Sequence, residues 1–184
     1  MQPECYDFAE IVLGVGKNTA VSDADPGETR WLDEAEQQAW RAYLWGSREL
    51  ESALDRDLGP YGLSLSEYEL ISMLSERPGE RERMSVLADM VVQSRSRVTH
   101  TAARLEKRGW VRRVPAPEDG RGVVLVLTQA GRDKIEAIAP VHVESVRRNI
   151  VDLITSEQFQ AIGEAMRSVR ASISSVPPRD RAVD

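Results

Sequence analysis

The twenty residues from Ser94 to Arg113, SRSRVTHTAARLEKRGWVRR, constrain the fold of this chain more than any other stretch. Val98, Ala102 and Leu105 recur at intervals of four and three residues, which places them on one side of an α-helix as a stripe for burial. Gly109 follows at a position where a left-handed glycine commonly ends a helix. The pattern therefore predicts an amphipathic helix that ends at Gly109.

The same stretch concentrates positive charge in an acidic chain. It holds seven cations against one acid, Glu106, whereas the whole chain of 184 residues has a formal net charge of −6. A local cluster steers a partner within a Debye length, about 10 Å at 0.1 M salt, so it can recruit a polyanion despite the overall charge. The solvent side of the helix holds Ser96, Thr99, His100, Ala103, Arg104 and Lys107. Hydroxyl, imidazole and cationic groups suit phosphates and base edges, although a solvated basic face without a partner is the alternative.

Length and composition favour one globular domain with tails. The sequence has no run of about 18 or more apolar residues and no secretory signal at its N-terminus, so we expect a cytoplasmic protein that does not enter a membrane. One cysteine, Cys5, rules out an internal disulfide. Two histidines and this cysteine lie far apart in sequence, so neither a metal nor another cofactor is expected.

Three further helices are predicted before the basic helix. A long one spans Trp31 to Leu58 and ends at a Gly-Pro pair. Trp40 and Trp45 add bulk outside its simple apolar stripe, so they either complete the core of one subunit or belong to a subunit interface. A second helix begins at Ser64, with an acid three residues later at the spacing of a capping box.

A short third helix is expected around Ser85, after a charged turn at Pro78 to Arg83. Ser94 is then the expected N-cap of the basic helix. A short helix, a turn of about three residues and a longer helix with polar N-terminal side chains form a helix-turn-helix motif. In that motif the second helix lies in the major groove, and its N-terminal amides and dipole also suit phosphate.

Two short strands joined by a polar turn follow the basic helix. Trp110 to Pro115 and the valine-rich Gly122 to Leu127 predict a β-hairpin, with the turn at Pro117 to Gly120. A hairpin directly after a recognition helix is a wing, and Arg121 at its tip suits a narrow minor groove. An ordinary hairpin with a surface arginine is the alternative.

Two helices complete the predicted domain. Thr128 caps a helix from about Gln129 to Leu153, in which Pro140 is expected to introduce a kink. Thr155 and Gln158 repeat the capping-box spacing and open a last helix that ends near residue 174. Its apolar side holds Phe159, Ile162, Met166, Val169 and Ile173. Residues 1–30 are expected to be a flexible extension, and residues 175–184 a loose tail.

This order of elements, together with a set of short motifs, resembles the multiple antibiotic resistance regulator (MarR) family of winged helix-turn-helix transcription factors. The matching motifs are Gly62-Leu63-Ser64, Glu67-Tyr68-Glu69-Leu70, Leu87-Ala88, Ser94-Arg95-Ser96-Arg97-Val98-Thr99, Leu105-Glu106-Lys107-Arg108-Gly109-Trp110-Val111, Asp119-Gly120-Arg121-Gly122, Leu127-Thr128 and Gly131. The wing motif from Asp119 to Gly122 follows the family's Asp-x-Arg-Gly pattern. The resemblance covers about residues 31–174.

The resemblance implies a mainly α fold with a small β-hairpin wing. Residues 31–174 would form the winged helix-turn-helix domain, with a DNA-binding lobe at about 62–128 and dimerisation helices at about 31–58 and 129–174. It further implies a homodimer on a pseudo-palindromic DNA operator, with half-sites about one helical turn, or about 34–36 Å, apart. Family members are often repressors that respond to small aromatic or phenolic, commonly anionic, effectors.

The same resemblance assigns DNA-binding roles residue by residue. Base and nearby phosphate contacts are expected from Ser94, Ser96, Arg97, Thr99 and His100. Phosphate contacts are expected from Arg104 and Lys107, further along the helix. Arg121 is the wing arginine, and Asp119 would orient it through a carboxylate–guanidinium pair. Arg95 is also a candidate, although the helical wheel places it nearer the buried side.

Three other functions are alternatives to this one. An enzyme needs a nucleophile or an acid–base pair in a pocket, whereas Cys5 lies in the extension and His100 lies on the basic face. His142 lies on an apolar helix, where a core or interface role competes with a place in a ligand pocket alongside Trp45. A protein-binding winged helix would not need the cationic face, and a thiol redox sensor would depend on Cys5, which precedes the matching region. We therefore expect that this protein is not an enzyme.

Overall fold

The computed structural model describes residues 29–116 and 122–175 of the chain. These residues form six α-helices and three strands. The helices are α1 (Glu34–Leu58), α2 (Leu65–Ser75), α3 (Met84–Met90), α4 (Arg95–Lys107), α5 (Gln129–Asn149) and α6 (Ser156–Ser175). The strands are β1 (Arg81–Arg83), β2 (Val111–Pro115) and β3 (Val123–Leu127). The sequence-based prediction of a mainly helical fold is confirmed, and no described helix is long and apolar enough to cross a bilayer.

Hydrogen bonds at the helix ends confirm the predicted caps. In α2 the Ser64 hydroxyl accepts from the Glu67 amide at 3.3 Å, and the Glu67 carboxylate accepts from the Ser64 amide at 3.0 Å. Thr155 and Gln158 make the same reciprocal pair at α6. Gly109 has a φ of +76°, as expected of a left-handed residue just past a helix end. Local sequence signals therefore set these boundaries.

The first helix begins three residues later than the apolar pattern predicts. Asp33 caps it, because its carboxylate accepts from the Glu36 amide at 2.8 Å and the Glu36 side chain accepts in return from the Asp33 amide at 3.0 Å. An N-cap residue has non-helical backbone angles, so the helix starts at Glu34 rather than Trp31. The chain separates into two compact units within α1, one that ends at Glu49 and one that begins at Leu50.

The sheet has one strand more than the sequence predicts. The segment Pro78 to Arg83, expected to be a turn, contains β1, which pairs antiparallel with β3. The strand order is β1-β3-β2, so β3 is central and β2 and β1 flank it. Three charged residues carry no alternating apolar pattern, and their extended conformation depends on the open edge of a strand some 40 residues away in sequence. The two strands of the wing, β2 and β3, therefore belong to a three-stranded sheet rather than to an isolated two-stranded hairpin.

The hydrophobic core lies in the unit that begins at Leu50. Helix α2 packs against α3, α4, α5 and β3, and α4 also packs against β2. The stripe predicted on the basic helix is confirmed, because Val98, Ala102 and Leu105 are all buried in this core. Because this stripe is buried, the opposite side of α4 faces solvent.

The last two helices follow the prediction with one change. Helix α5 contains Pro140 and ends at Asn149, and a turn of 3-10 helix (Val151–Leu153) follows it. The sequence predicted one helix through Leu153. Ile150 has non-helical backbone angles of −147° and −52°, which interrupt the helix at that point.

Candidate nucleic-acid interface

Helix α4 presents its polar side to solvent. Ser94 caps it, with its hydroxyl accepting from the Arg97 amide at 3.3 Å. The predicted contact residues on the helix and its cap are all exposed: Ser94, Arg95, Ser96, Arg97, Thr99, His100, Arg104 and Lys107. Arg95, which the helical wheel placed nearer the buried side, is exposed in the structure and lines a cleft beside Met84 and Ser85 of α3. The helix therefore offers hydroxyl, imidazole and cationic groups along one continuous surface.

A cleft of about 530 Å³ opens on one flank of α4. The N-terminal turn of α2 forms its other wall, and Arg97 reaches across it to donate to the Ser66 hydroxyl at 3.3 Å. Ser96, His100 and Arg104 also line this cleft. The cleft is polar and open to solvent, which suits an extended charged ligand better than an enclosed apolar one.

A smaller cleft of about 260 Å³ lies on the other flank. Arg95 and Thr99 of α4, Arg113 of β2 and Met84 of α3 are among its lining residues. The predicted contact residues therefore divide between the two flanks of one helix, so α4 forms a ridge between two depressions. A ridge of this kind is the shape that enters a major groove.

The cations of the basic stretch fall into two groups. Arg113 pairs with Glu106 at 2.6 Å, and Arg104 and Arg108 both pair with Glu67 of α2, at 2.9 and 3.2 Å. The remaining four have no acidic partner within 4.0 Å in the part of the chain that the structure describes: Arg95, Arg97, Lys107 and Arg112. Three of these four belong to α4. The charge available for a polyanion is thus concentrated on α4.

Known proteins resemble this chain in both sequence and fold. The family model described as MarR family matches residues 61–122. The crystal structure of AbsC, a MarR family transcriptional regulator from Streptomyces coelicolor, has 40% sequence identity and a TM-score of 0.75, over 80% of this chain and all of that one. The chain belongs to the MarR family.

Two further relatives support this assignment. Sco3205, a MarR family transcriptional regulator from Streptomyces coelicolor whose structure was determined in complex with DNA, has 41% identity and a TM-score of 0.76. The match covers 82% of this chain and 97% of Sco3205. The HTH-type transcriptional regulator PecS of Dickeya dadantii (strain 3937) is 30% identical over 110 residues, which are 59% of this chain and 66% of PecS. This MarR-family protein is a transcriptional regulator, not an enzyme.

The tip of the wing lies outside the described residues. Asp119 and Arg121, two of the predicted contact residues, belong to that segment. The described part of the wing comprises β2 and β3, with Pro115 opposite Val123 at the end nearest the tip. Arg112 of β2 is exposed on the stem of the wing.

Arginines of the basic stretch lower the pKa of two acids in this MarR-family regulator, Glu67 and Glu106. Burial alone raises the pKa of Glu67, but the Ser64 amide and the guanidinium groups of Arg104 and Arg108 outweigh it, so the pKa lies below its ordinary value. Hydrogen bonds from Arg113 lower the pKa of Glu106. Both acids remain ionised near neutral pH and bind their arginines as charged pairs.

The wall of the cleft opposite α4 was not predicted from the sequence. Ser66 and the carboxylate of Glu67 belong to the interface region, yet only the capping role of the latter was predicted. The capping-box spacing identified the acid but gave no sign of the arginines 37 and 41 residues away. Glu67 has no basic residue three or four positions before or after it, and an acid without a cation at helical spacing is the one signal that could have indicated a distant cation.

Proposed function

We propose that this protein is a homodimeric, sequence-specific DNA-binding regulator that acts on a pseudo-palindromic operator. The observation that carries the proposal is the exposed ridge of α4, with Arg95, Arg97 and Lys107 lacking acidic partners in the described structure. The DNA complex of Sco3205, at 41% identity, supports it. A protein-binding winged helix would not require a cluster of unpaired cations between two open clefts.

Each part of α4 has a distinct role in this proposal. Its first turns, from Ser94 to His100, enter the major groove, where hydroxyl, guanidinium and imidazole groups contact base edges and nearby phosphates. Arg104 and Lys107 lie further along the helix and contact phosphate. Contacts to phosphate supply affinity, whereas contacts to bases supply specificity.

Substitutions on the helix separate these two roles. Selection from random duplex first identifies a bound sequence for anisotropy titration. We expect His100→Ala to reduce the preference for that duplex over a scrambled one, because it removes a base contact. Lys107→Ala should weaken binding to both duplexes alike. Arg147→Ala, an exposed arginine on α5 that pairs with Asp152, is the matched control and should bind as wild type does. Equal loss from all three variants would contradict these roles.

The wing supplies a second point of contact. Arg121 would insert into the minor groove beside the major groove that α4 occupies, and Asp119 would orient its guanidinium. Arg121→Ala is therefore expected to weaken operator binding while the circular dichroism spectrum stays that of a folded protein. Unchanged affinity in a gel-shift titration would refute a wing contact.

The homodimer explains large apolar side chains that a single chain leaves exposed. The apolar side of α6 comprises Phe159, Ile162, Met166, Val169 and Ile173, all exposed in the single chain. Exposed apolar patches of this kind indicate a protein partner. In α1, Trp40 and Trp45 are also exposed, the latter at 63%, which favours an interface role over completion of the core. A two-fold related copy covers both helices and places two winged motifs on one duplex.

Light scattering on purified protein tests the dimer. We expect the mass of two chains at micromolar concentration. Ile162→Glu, which places a charge on the apolar side of α6, should give the mass of one chain and weaken operator binding, whereas Gln160→Glu on the same helix serves as its control. A monomeric wild-type protein that binds the operator tightly would contradict the proposal.

Regulation by a small ligand completes the proposed function. We propose repression relieved by an aromatic or phenolic effector that binds outside the DNA surface and favours a dimer whose recognition helices are misplaced for DNA. A coupling of about 1–3 kcal/mol is enough. A thiol switch at Cys5 is the second candidate, and a Cys5→Ser protein that keeps peroxide-sensitive DNA binding would exclude it. The domain division at residues 31–174, with flanking extension and tail, and action in the cytoplasm belong to the same proposal.

A further inference from the structure

Glu67 is a buried carboxylate between two helices. Only 3% of its surface is exposed. It accepts from the Ser64 amide at 3.0 Å, from Nε of Arg104 at 2.9 Å and from Nη1 of Arg108 at 3.2 Å. A capping box needs only the first of these bonds, and glutamine supplies it equally well. The charge and its two arginines therefore call for a separate explanation.

The two arginines are held in different ways. Arg108 also donates to the Gly62 carbonyl oxygen at 2.6 Å and stacks over the Trp110 ring at 5.1 Å, so three protein groups hold its guanidinium. Arg104 has Glu67 as its one polar partner among the described residues, and its side chain is 53% exposed. The Glu67 bond uses Nε of Arg104, and the two terminal nitrogens of this arginine have no hydrogen-bond partner among the described residues.

Arg104 is one of the residues that line the larger cleft. Arg97 and His100 line the same cleft, next to the N-terminal turn of α2. A guanidinium is planar and has five N–H donors in a fixed fork, so fixing Nε also fixes the plane in which the terminal donors lie. A phosphate in the cleft would bind terminal N–H donors that are already oriented. The Arg104 side chain would therefore lose less rotamer freedom on binding.

We propose that Glu67 is a positioning residue for DNA binding, which holds the guanidinium of Arg104 by Nε so that its terminal nitrogens grip one backbone phosphate in the cleft between α2 and α4. The proposal rests on the DNA-binding function proposed above. A positioning role explains why a buried acid, Glu67, lies next to a surface proposed to bind DNA, although its negative charge by itself would repel the phosphates.

Glu67→Gln tests the proposal because two explanations predict opposite signs. Glutamine keeps the cap and nearly the same shape but lacks the charge. If Glu67 acts only by its charge, the variant should bind the selected duplex more tightly and with a steeper salt dependence. If Glu67 positions Arg104, affinity should fall by about tenfold. The slope of log K against log salt should then fall in magnitude by about 0.9 for each phosphate that the variant no longer neutralises.

A double-mutant cycle shows whether the effect passes through Arg104. We expect Arg104→Ala to lower affinity to a similar extent, and Glu67→Gln to add less than about a twofold loss in that background. Arg108→Gln removes the other partner of Glu67 and is the matched control, with an expected loss of less than about threefold. Circular dichroism and light scattering check that each variant remains folded with the mass of the wild-type protein.

The outcomes separate this inference from the function on which it rests. If wild-type protein binds no selected duplex, both fail. If wild-type protein binds but Glu67→Gln binds equally or more tightly, or if the two substitutions are additive, the positioning role alone is overturned. If Glu67→Gln does not fold, Arg104→Lys decides, because lysine keeps the charge without the fork. Wild-type affinity in Arg104→Lys would show that a point charge suffices and would overturn the inference.

Discussion

Gly131 in the first turn of α5 leaves no room for a side chain. A Cβ placed there would lie 2.1 Å from the Trp110 carbonyl oxygen and 2.8 Å from Cδ1 of Leu127, whereas ordinary contacts begin near 3.4 Å. The same Trp110 oxygen accepts from the amide and the hydroxyl of Thr128, both at 3.0 Å. Gly131→Ala must therefore displace backbone at the point where the recognition helix, the wing and α5 meet.

The expected cost follows from opposing terms. Alanine within a helix gains up to about 1 kcal/mol over glycine. Inserting an atom into a packed site costs about 1–3 kcal/mol or more, and each hydrogen bond of Thr128 that is displaced costs about 1 kcal/mol. Because the obstacle is backbone and not a flexible side-chain end, we expect the upper part of this range. The net prediction is a loss of about 2–4 kcal/mol in the free energy of unfolding.

Urea denaturation followed by circular dichroism measures this loss at one fixed protein concentration, since the stability of a dimer depends on concentration. Gly59→Ala is the matched control, because a Cβ at Gly59 meets no atom within 4 Å and its φ is not positive. It should leave stability unchanged or raise it by up to about 1 kcal/mol. A Gly131→Ala protein as stable as the Gly59→Ala protein would refute the close approach.

Three further substitutions have definite expected outcomes. Val92 is 78% exposed in the turn between α3 and α4 and has a φ of +52°, a conformation that costs a β-branched residue roughly 1–2 kcal/mol. Val92→Gly should therefore raise the midpoint of thermal unfolding. A lower midpoint would contradict strain at this site. Burial lowers the pKa of His142, whose ring lies 4.3 Å from that of Tyr68. Because the unfolded chain then binds the proton more readily, stability should decline as pH falls below about 6.5, and His142→Phe should abolish that decline. Hydrogen bonds led by that from Ser145 lower the pKa of Asp57, so its stabilisation is complete above its ordinary pKa of about 4 and is lost as pH falls through the lower folded value. Asp57→Asn should destabilise the protein at pH 7 by about 1–3 kcal/mol and flatten the acid side of its stability profile; unchanged acid sensitivity would count against this.

Features encoded within a few residues could be predicted from the sequence. The spacing of Val98, Ala102 and Leu105 identified the buried side of α4 and hence its exposed one. Capping residues fixed the start of α2 and α6, because the donor and acceptor are three residues apart. These features depend on helix geometry alone, which a sequence specifies directly.

Features that depend on distant partners could not be predicted. Strand β1 exists because the edge of β3 accepts it, and its own three charged residues show no strand pattern. The contact of Glu67 with Arg104 joins residues 37 positions apart in the sequence. The sequence left a core role and an interface role open for Trp40 and Trp45, because the choice depends on groups outside their own helix. In each case the deciding group lies elsewhere in the fold or on another subunit.

The salt dependence of binding to a selected duplex tests the central claim most directly. Arg95, Arg97 and Lys107 lack acidic partners in the described part of each chain, so a dimer offers about six cations on its two recognition helices, each able to neutralise one phosphate. At about 0.9 per neutralised phosphate, they predict a slope of log K against log salt of about −5, or about −7 if Arg104 also grips a phosphate. Slopes between these values are the expected result, and replacing all three cations by alanine should reduce the magnitude of the slope by about 5. A slope near zero, or no binding to any duplex at low salt, would contradict the account.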